Sequence, residues 1–320
     1  MFGLRVPIFQ APTGSIAGPE LAAAVSQAGA LGAMALTWAS PEAAAEAVRW
    51  VRARTGAPFH VNYALYKPPD SLDSALDAGA PAVTFSWGDP SPFVERVRVA
   101  KARVGIQVTN AQGARRARDL GADFLVCQGI EAGGHVQSTT ALDELLPRVI
   151  DAAGGLPVVA SGGIGDGAGI ARVLALGAGA AMLGTRFVAT RESRAHPLYK
   201  ERLTRSGPGD TALTVCFDGD WPYAAHRVLR NGTLEAWEAS GCAPNGQRPG
   251  EGETLGRAAS GEPIRRYDDT TPRAGTTGDV LEMALYAGTS VGAVHDVPHA
   301  GELVSRLWEE RLRVRTKGQQ

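Results

Sequence analysis

The sequence has little of what marks several classes of protein. It contains three cysteines among 320 residues, and Cys127, Cys216 and Cys242 form no CxxC pair, which disfavours a disulfide framework and a thiolate metal site. The formal net charge of −1 provides no basic surface for nucleic acid. No apolar run reaches the roughly 18 residues that cross a membrane, and the first residues contain no apolar signal segment. We therefore expect a cytoplasmic protein without nucleic-acid or membrane partners.

Glycine, by contrast, is abundant and recurs in one setting. The chain has 40 glycines. Six of them follow a helix-like segment and precede a short connector and an apolar run: Gly29, Gly56, Gly79, Gly121, Gly154 and Gly177. Glycine at this place is typical of the left-handed residue that ends a helix, and the apolar runs are typical of parallel strands buried on both faces. The pattern predicts a repeat of strands and helices.

Counting the repeat gives the fold class. Strands are predicted near residues 6–10, 31–36, 58–62, 82–86, 104–108, 123–127, 157–160 and 180–183. Helices are predicted over 19–28, 41–54, 70–78, 91–101, 111–120, 141–153 and 167–176, with Ser40 and Asn110 among the N-caps. Eight strands alternating with helices predict an α/β fold, the TIM (β/α)8 barrel. A doubly wound open sheet is the rival, and it is disfavoured because no GxGxxG follows the first strand.

The barrel is predicted to occupy residues 1–205, after which the pattern changes. Residues 206–275 lose periodicity and gain glycine, proline, arginine and tryptophan. This composition predicts a smaller, mostly helical or irregular subdomain over the barrel mouth. Residues 276–320 return to helical patterning, with YAGTSVG as a turn between two helices.

Two glycine turns follow the seventh and eighth predicted strands, where barrels of this type often bind phosphate. The residues concerned are Ser161, Gly162 and Gly163 in ASGGIGDG, and Met182, Leu183, Gly184 and Thr185 in MLGT. Unobstructed backbone N–H groups and hydroxyl donors suit phosphate oxygens. Tight structural turns are the simpler interpretation, but the positions favour a phosphate site.

The stretch QGIEAGGHVQS follows the sixth predicted strand on the same rim. Gly133 and Gly134 would let a flat ring system lie against the backbone. Amide side chains that could meet the polar edges of such a ring are Asn62, Gln107 and Gln128. His135 would then act as a general base, since imidazole is the usual proton acceptor near neutral pH. A histidine hydrogen-bonded in a structural loop is the alternative, and the double glycine on the rim favours catalysis.

Several motifs, in this order, carry a family resemblance: VPIFQAPTGSIAGPELAAAVSQAGALG, VCQGIEAGGH, VVASGGIGDG, MLGTRFVATRESRAHPLYK and YAGTSVG. Over nearly its whole length the chain resembles the nitronate monooxygenase family, formerly called 2-nitropropane dioxygenases. The same motifs occur in a sibling group, the flavin-dependent enoyl-ACP reductases. The combination is highly specific to this group of barrels.

The resemblance implies an oxidoreductase with FMN as cofactor. Such an enzyme would convert alkyl nitronates or nitroalkanes with O2 into a carbonyl compound and nitrite, with His135 as the catalytic base. An electron-rich nitronate would donate to the flavin while the protein positions the substrate. The resemblance adds four cofactor-binding residues to those above: Ala11, Tyr286, Gly288 and Thr289. A homodimer is possible.

Three positions depart from the family pattern. The family usually has methionine after QAP, glycine two residues after EAGGH, and AGQS, where this chain has Thr13, Gln137 and Thr289. We expect all three on the substrate side, with Thr13 and Gln137 as candidate substrate contacts. Trp38 and Trp87, just after strand ends, are further candidates, with Trp221 behind them.

Two other functions remain open from the residues. One is an NAD(P)H-dependent reductase of enoyl thioesters or quinones on the same barrel. The other is a non-redox phosphate-binding barrel enzyme or binding module, which is disfavoured because the rim lacks the lysine or paired carboxylates that such enzymes use. The HDVPH segment at residues 295–299 is interpreted as a polar loop and not a metal site, because Pro298 interrupts any helix there.

Overall fold

The computed structural model describes residues 2–219 and 221–314. The strands of these residues are β1 (Ile8–Gln10), β2 (Gly32–Ala35), β3 (Phe59–Ala64), β4 (Ala82–Ser86), β5 (Arg103–Val108), β6 (Phe124–Gln128), β7 (Gly134–His135), β8 (Val158–Ser161), β9 (Ala180–Leu183), β10 (Thr211–Thr214), β11 (His226–Leu229), β12 (Thr254–Arg257), β13 (Pro263–Arg265) and β14 (Thr277–Gly278). Eight of them form one parallel sheet in the order β1-β9-β8-β6-β5-β4-β3-β2. A parallel bridge between Phe9 and Leu31 joins its two ends, so the sheet curls into the predicted barrel.

Helices alternate with these strands and cover the outside of the barrel. They are α1 (Pro19–Gln27), α2 (Pro41–Arg52), α3 (Leu72–Asp77), α4 (Ser91–Val99), α5 (Ala111–Asp119), α6 (Leu142–Ala153), α7 (Gly167–Ala175), α8 (Thr185–Val188), α9 (Pro197–Thr204), α10 (Gly232–Ala239) and α11 (Ala300–Arg313). The predicted caps form, since Ser40 and Asn110 each accept a hydrogen bond from the backbone N–H three residues later. No helix in the described ranges combines the length and apolar character needed to span a bilayer.

Five of the six repeat glycines adopt the left-handed conformation expected of them, with φ between 62° and 97° for Gly29, Gly79, Gly121, Gly154 and Gly177. Gly56 is the exception. There α2 ends earlier, at Arg52, and Gly56 lies within a turn in which the Thr55 hydroxyl accepts a hydrogen bond from the Ala57 N–H at 3.0 Å. The repeated glycines therefore mark helix ends correctly at five positions and only a loop at the sixth.

The core has two parts, as the barrel geometry requires. Apolar side chains between the strands and the outer helices make the larger part. The smaller part fills the barrel itself and includes Phe9, Phe124, Val126, Val159 and Met182. Phe9 and Phe124 meet edge to face with their ring centroids 5.9 Å apart. The interior below the rim is thus a packed core and not a pore, which confines any site to the rim.

A histidine lies inside this interior. His60 has no exposed surface; its Nδ1 is 3.1 Å from the Thr84 hydroxyl and its Nε2 is 3.4 Å from the Gln10 carbonyl oxygen. A carbonyl oxygen only accepts, so the Gln10 contact is a hydrogen bond in the tautomer with the proton on Nε2. In that tautomer Nδ1 is an acceptor for the Thr84 hydroxyl, which also lies 3.4 Å from the Val61 carbonyl oxygen. Burial lowers the pKa of His60 to about 4, so the imidazole is neutral in the folded protein at neutral pH.

His60→Gln is expected to reduce the loss of stability in acid. Between its ordinary pKa of 6.5 and its folded pKa of about 4, the unfolded state binds more protons, so the wild type loses stability as the pH falls. At pH 4 that loss is about 3 kcal/mol for this residue. The free energy of unfolding in urea, measured for both proteins at pH 7.5 and pH 4, checks it. An identical pH dependence in the two proteins would contradict the assignment.

The segment after the barrel contains more strand than the sequence predicts. Residues 206–275 hold one α-helix, α10, as expected, and also β10 to β13. β10 and β11 form an antiparallel sheet with β7, and β12 pairs with β13 and β14. These strands have at most four residues and lack regular alternation of apolar and polar side chains. In residues 276–314, α11 is the only α-helix among the described residues, and the first of the two expected helices is a 3-10 turn at Val280–Glu282.

The pairing of β7 with β11 ties this segment to the barrel. His135 lies opposite His226 and Gly134 opposite Arg227. β7 belongs to the loop that follows β6 on the carboxyl-end rim. The segment therefore contacts the rim at the loop that carries His135.

Candidate functional site

The loop after β6 is fixed by a set of amide side chains. The Gln128 Nε2 donates to the carbonyl oxygen of His135 at 3.2 Å, and its Oε1 accepts from the Gln137 N–H at 3.0 Å. The Gln107 Nε2 donates to the Gln137 Oε1 at 2.7 Å. Because Gln128 holds the backbone on both sides of residue 136, the direction of the His135 side chain is set by strands β5 and β6. Sequence reasoning assigns Gln107 and Gln128 to a ring edge; the structure also gives them this positioning role.

The two glycines of the loop differ in their surroundings. A Cβ at Gly133 would lie 2.4 Å from the backbone nitrogen of Gly288, while a Cβ at Gly134, where φ is 72°, would meet no atom within 4 Å. Gly288 in turn leaves no room, since its Cβ would lie 2.8 Å from the Glu131 carbonyl oxygen. The bare backbone at Gly133 thus serves close packing against the C-terminal segment, and only Gly134 leaves open space for a ligand.

His135 lies at the centre of the site. Its Nε2 is buried and has no hydrogen-bond partner in the described residues. Burial lowers the pKa of His135 to about 3, with a smaller contribution from repulsion by His226. The imidazole is therefore neutral at pH 7. A buried polar atom without a partner is costly and uncommon, so Nε2 is an atom that a ligand can satisfy.

Aromatic side chains surround this imidazole. Trp221 stacks on it, with centroids 4.2 Å apart and planes at 26°, and also stacks on Tyr66, at 3.7 Å and 13°. Trp87 meets the His135 ring edge-on at 6.0 Å, and its own φ of 59° is uncommon for a bulky residue. The Tyr286 ring lies 5.6 Å from His135. The space beside His135 is thus lined by rings and holds the Trp221 indole.

Trp38, the other tryptophan predicted here, lies further out. It is half exposed, and its Nε1 donates to the Tyr66 hydroxyl at 3.0 Å. Trp38 therefore contacts the aromatic group through Tyr66, while Trp87 and Trp221 reach His135 directly. Sequence reasoning ranks Trp221 below both, whereas Trp221 and Trp87 contact the His135 ring and Trp38 does not.

Two members of the group have no sequence prediction at all. Tyr66 follows β3 at the rim, and His226 begins β11. The His226 Nδ1 donates to the Ala224 carbonyl oxygen at 2.9 Å and its Nε2 accepts from the Phe217 N–H at 3.2 Å. Both nitrogens are occupied, which makes His226 a structural neighbour of His135, 5.4 Å away between ring centroids. One sequence signal could have indicated Tyr66: like the predicted tryptophans, it is an aromatic residue just after a strand end.

The predicted phosphate turns come together with the C-terminal segment. Gly162 and Gly163 have φ values of 110° and 66°, which only glycine adopts readily. A Cβ at Gly163 would lie 3.3 Å from the Thr289 hydroxyl oxygen. The Thr185 hydroxyl accepts from the Gly288 N–H at 2.9 Å, which leaves its own proton to donate. Loops from two strands and the 288–289 turn therefore form one cradle of small side chains, which we call the glycine cradle: Gly162, Gly163, Thr185, Gly288 and Thr289.

The first strand ends beside this cradle. A Cβ at Gly184 would lie 3.5 Å from both the Ala11 Cβ and the Thr13 Cγ2. The Thr13 hydroxyl is buried and has no hydrogen-bond partner in the described residues. It is thus a second polar atom on this rim that lacks a partner.

Four further predicted residues lie at or near the ends of barrel strands. Ser161 pairs with Met182 across β8 and β9, and Met182 faces the barrel interior. Leu183 packs in the outer core, so its side chain points away from the rim. The Asn62 Nδ2 donates to both oxygens of Thr84 at 3.1 Å. Of the four, Leu183 can contribute only backbone to a site on the rim.

The three departures from the family pattern lie close to other predicted site residues. Thr289 lies against Gly163, Thr13 lies against Gly184, and Gln137 is bonded to Gln107 and Gln128. All three therefore contact residues predicted to bind the cofactor, and their place on the substrate side stays a prediction.

Other sequence candidates have structural partners. Asp296 of HDVPH pairs with the buried Arg186 and with Arg306, and α11 starts only at Ala300, beyond Pro298. Cys127 is fully buried, and burial raises the pKa of its thiol to about 12, which makes it a poor nucleophile. Among the described residues no group of three or more His, Cys, Asp or Glu side chains could hold a metal ion.

Comparison with known proteins identifies the family. A family model described as nitronate monooxygenase matches residues 1–75 and 69–310. The chain belongs to the nitronate monooxygenase family. The nitronate monooxygenase of Pseudomonas aeruginosa is 36% identical over an alignment 270 residues long, and the match covers 68% of this chain and 76% of that protein. As a member of this family the chain is an oxidoreductase of a flavin-dependent type.

Solved structures of this group share the whole fold. FabK from Thermotoga maritima superposes with a TM-score of 0.83 at 28% identity, over 97% of this chain and 94% of that one. The nitroalkane oxidase of Streptomyces ansochromogenes gives a TM-score of 0.78 at 31% identity, over 97% and 96%. The predicted family, its sibling relationship and the barrel are thereby confirmed.

Proposed function

We propose that the protein is an FMN-dependent nitronate monooxygenase that oxidises alkyl nitronates or nitroalkanes with O2 to a carbonyl compound and nitrite. The observation that supports this most is the buried, partnerless Nε2 of His135 on the rim of a barrel of this family. A nitroalkane carries an acidic C–H beside its nitro group, and a neutral imidazole is the group that can accept that proton.

The residues at the rim fit FMN. The glycine cradle supplies hydroxyl and backbone donors where a phosphate needs them, and its positive φ values keep side chains away. The unsatisfied Thr13 hydroxyl lies beside Gly184, and the amides of Asn62, Gln107 and Gln128 face the same rim. We infer that the cradle holds the phosphate and the amides meet the ring edge. Bound FMN would supply the electron acceptor for a nitronate and the means of its reoxidation by O2.

The chain's own residues then have three tasks. Gln128 holds the loop so that His135 keeps one orientation. His135 accepts the α-proton of a nitroalkane at Nε2. The imidazolium that results lies beside the anionic nitronate, and in this water-poor space the attraction between them offsets the burial that lowers the pKa of the free histidine.

A spectral and kinetic experiment tests the proposal. The purified protein, reconstituted with FMN, is expected to show flavin absorbance, to consume O2 with ethyl nitronate and to release nitrite. NADH or NADPH added without oxygen should leave the flavin oxidised. A protein that takes up no FMN, or that consumes no O2 with any nitronate, would end the proposal.

One observation favours a second candidate, a pyridine-nucleotide-dependent flavin reductase. The superposition on FabK has a higher TM-score than that on the nitroalkane oxidase, 0.83 against 0.78. Rapid bleaching of the flavin by NADH or NADPH in the same experiment would select this candidate.

A further inference from the structure

The position of Trp221 points to a binding slot beside His135. Its indole lies between the Tyr66 ring, at 3.7 Å and 13°, and the His135 ring, at 4.2 Å and 26°. Trp87 closes one side, with its ring 4.7 Å from the indole at 66°. Tyr66 and His135 therefore face each other across the thickness of one planar ring. We call this space the aromatic slot.

Trp221, which occupies the aromatic slot, is held more loosely than the residues that line the slot. Trp221 lies in the connection between β10 and β11, where its backbone N–H donates to the Asp218 carbonyl oxygen at 3.1 Å. Two residues later Tyr223 is 93% exposed and has a φ of 64°. In the described residues the indole N–H has no hydrogen-bond acceptor. His135, by contrast, is held through β7 and by Gln128. The indole can thus leave by movement of one surface turn, with loss of its ring contacts and, where the turn opens, of the backbone hydrogen bonds from Trp221 to Asp218 and from Ala224 to Trp221.

The slot also contains the unsatisfied atom of the site. The Nε2 of His135 is buried without a partner while the indole fills the slot, because the face of an indole offers it no strong acceptor or donor. A ligand that combined a flat ring with a polar group at its edge would keep the stacking and satisfy Nε2 as well. The replacement of the indole by such a ligand would therefore be favourable in free energy.

We propose that the aromatic slot is the substrate subsite, that it takes the planar, conjugated part of the substrate in place of Trp221, and that the enzyme prefers aryl nitronates to saturated ones. This inference rests on the proposed function and narrows its substrate class. A saturated ring of the same size is puckered and thicker, and it has no π face to offer Tyr66 and His135. Two stacked faces are together worth about tenfold in affinity.

Matched ligand pairs test the slot on the FMN-loaded enzyme. Benzoate and cyclohexanecarboxylate are inert and differ mainly in planarity, and the nitronates of phenylnitromethane and cyclohexylnitromethane form the corresponding substrate pair. We expect benzoate to bind about tenfold more tightly than cyclohexanecarboxylate by calorimetry, and the phenyl nitronate to have about tenfold higher kcat/KM.

Three variants separate the roles of the rings. Tyr66→Ala should bring both ratios close to one: the affinity for benzoate over that for cyclohexanecarboxylate, and the kcat/KM for the phenyl nitronate over that for the cyclohexyl nitronate. Tyr66→Phe should keep both ratios because it keeps the ring face. Trp221→Ala should tighten benzoate binding severalfold, since the indole no longer competes. Tyr223→Ala, on the same turn but outside the slot, should change neither preference.

The outcomes distinguish this inference from the proposed function. Equal binding of the two acids, or weaker benzoate binding in Trp221→Ala, would overturn the slot even if both nitronates are oxidised. If neither nitronate is consumed but benzoate still binds tenfold better in a way that needs Tyr66, the slot stands and the proposed function fails.

Discussion

His135→Ala is expected to lose 10²- to 10⁴-fold in kcat/KM with neutral nitroethane, the range that a general base contributes. The reason is the buried, partnerless Nε2, which is the proton acceptor in the proposed reaction. With preformed ethyl nitronate the proton has already been removed, so the loss should stay below about tenfold. FMN affinity should be unchanged, because the loop is held by Gln128 through backbone atoms of residues 135 and 137. Stopped-flow and oxygen-uptake rates with both substrates measure the difference.

Two further measurements make this result specific to the base. Added imidazole should restore part of the nitroethane activity of His135→Ala by entering the vacated space. An equal loss with nitroethane and with the nitronate would show that His135 acts in binding and not in proton transfer. A fully active variant would remove His135 from the mechanism.

The pH dependence of the wild type follows from the same residue. Burial lowers the pKa of His135 to about 3, so the base form is complete above that value and is lost only as the pH falls through it. The kcat/KM for nitroethane should therefore show no decline between pH 8 and pH 5. A decline centred near 6.5 would mean that the imidazole is solvated in the active form, as it would be if Trp221 leaves the aromatic slot in the free enzyme.

The barrel was predictable because its signals are local. Each strand from β1 to β6, and then β8 and β9, is a mostly apolar run, and each predicted boundary lies within two residues of the observed one. The capping residues Ser40 and Asn110 likewise each accept a hydrogen bond from the backbone N–H three residues later. The order of the glycine turns along the chain then placed the rim, because in a barrel all carboxyl ends of strands share one side.

What the sequence could not show depends on contacts between distant segments. Tyr66 follows a barrel strand and Trp221 lies in the later segment between β10 and β11, and no periodicity of the sequence relates the two residues. Gly133 matches a ligand-facing glycine in sequence, yet it packs against Gly288. The strands β10 and β11 are four residues each, and β11 lies between β10 and the β7 edge on the rim. A local pattern cannot report such a partner.

Gly163→Ala is expected to weaken FMN binding by about 10- to 100-fold. The added Cβ would lie 2.9 Å from the Glu131 Cβ and 3.3 Å from the Thr289 hydroxyl oxygen, and Glu131 accepts the Thr289 N–H at 3.1 Å. Making room therefore moves Gly163 away from Glu131 and from Thr289, and so distorts the glycine cradle. Overpacking of this kind costs about 1–3 kcal/mol, which corresponds to the stated range if it falls on the bound state. Titration of the apoprotein with FMN, followed by quenching of flavin fluorescence, gives the dissociation constant.

Gly155→Ala is the matched control. Gly155 also has a positive φ, of 93°, but a Cβ there would meet no atom within 4 Å, and it precedes β8 where Gly163 follows it. Both variants should lose about 1 kcal/mol of stability from the strained backbone, and only Gly163→Ala should lose FMN affinity. The two substitutions cause similar backbone strain, and only Gly163→Ala adds an atom to the glycine cradle. Equal FMN affinities of the two variants would therefore place the phosphate elsewhere on the rim.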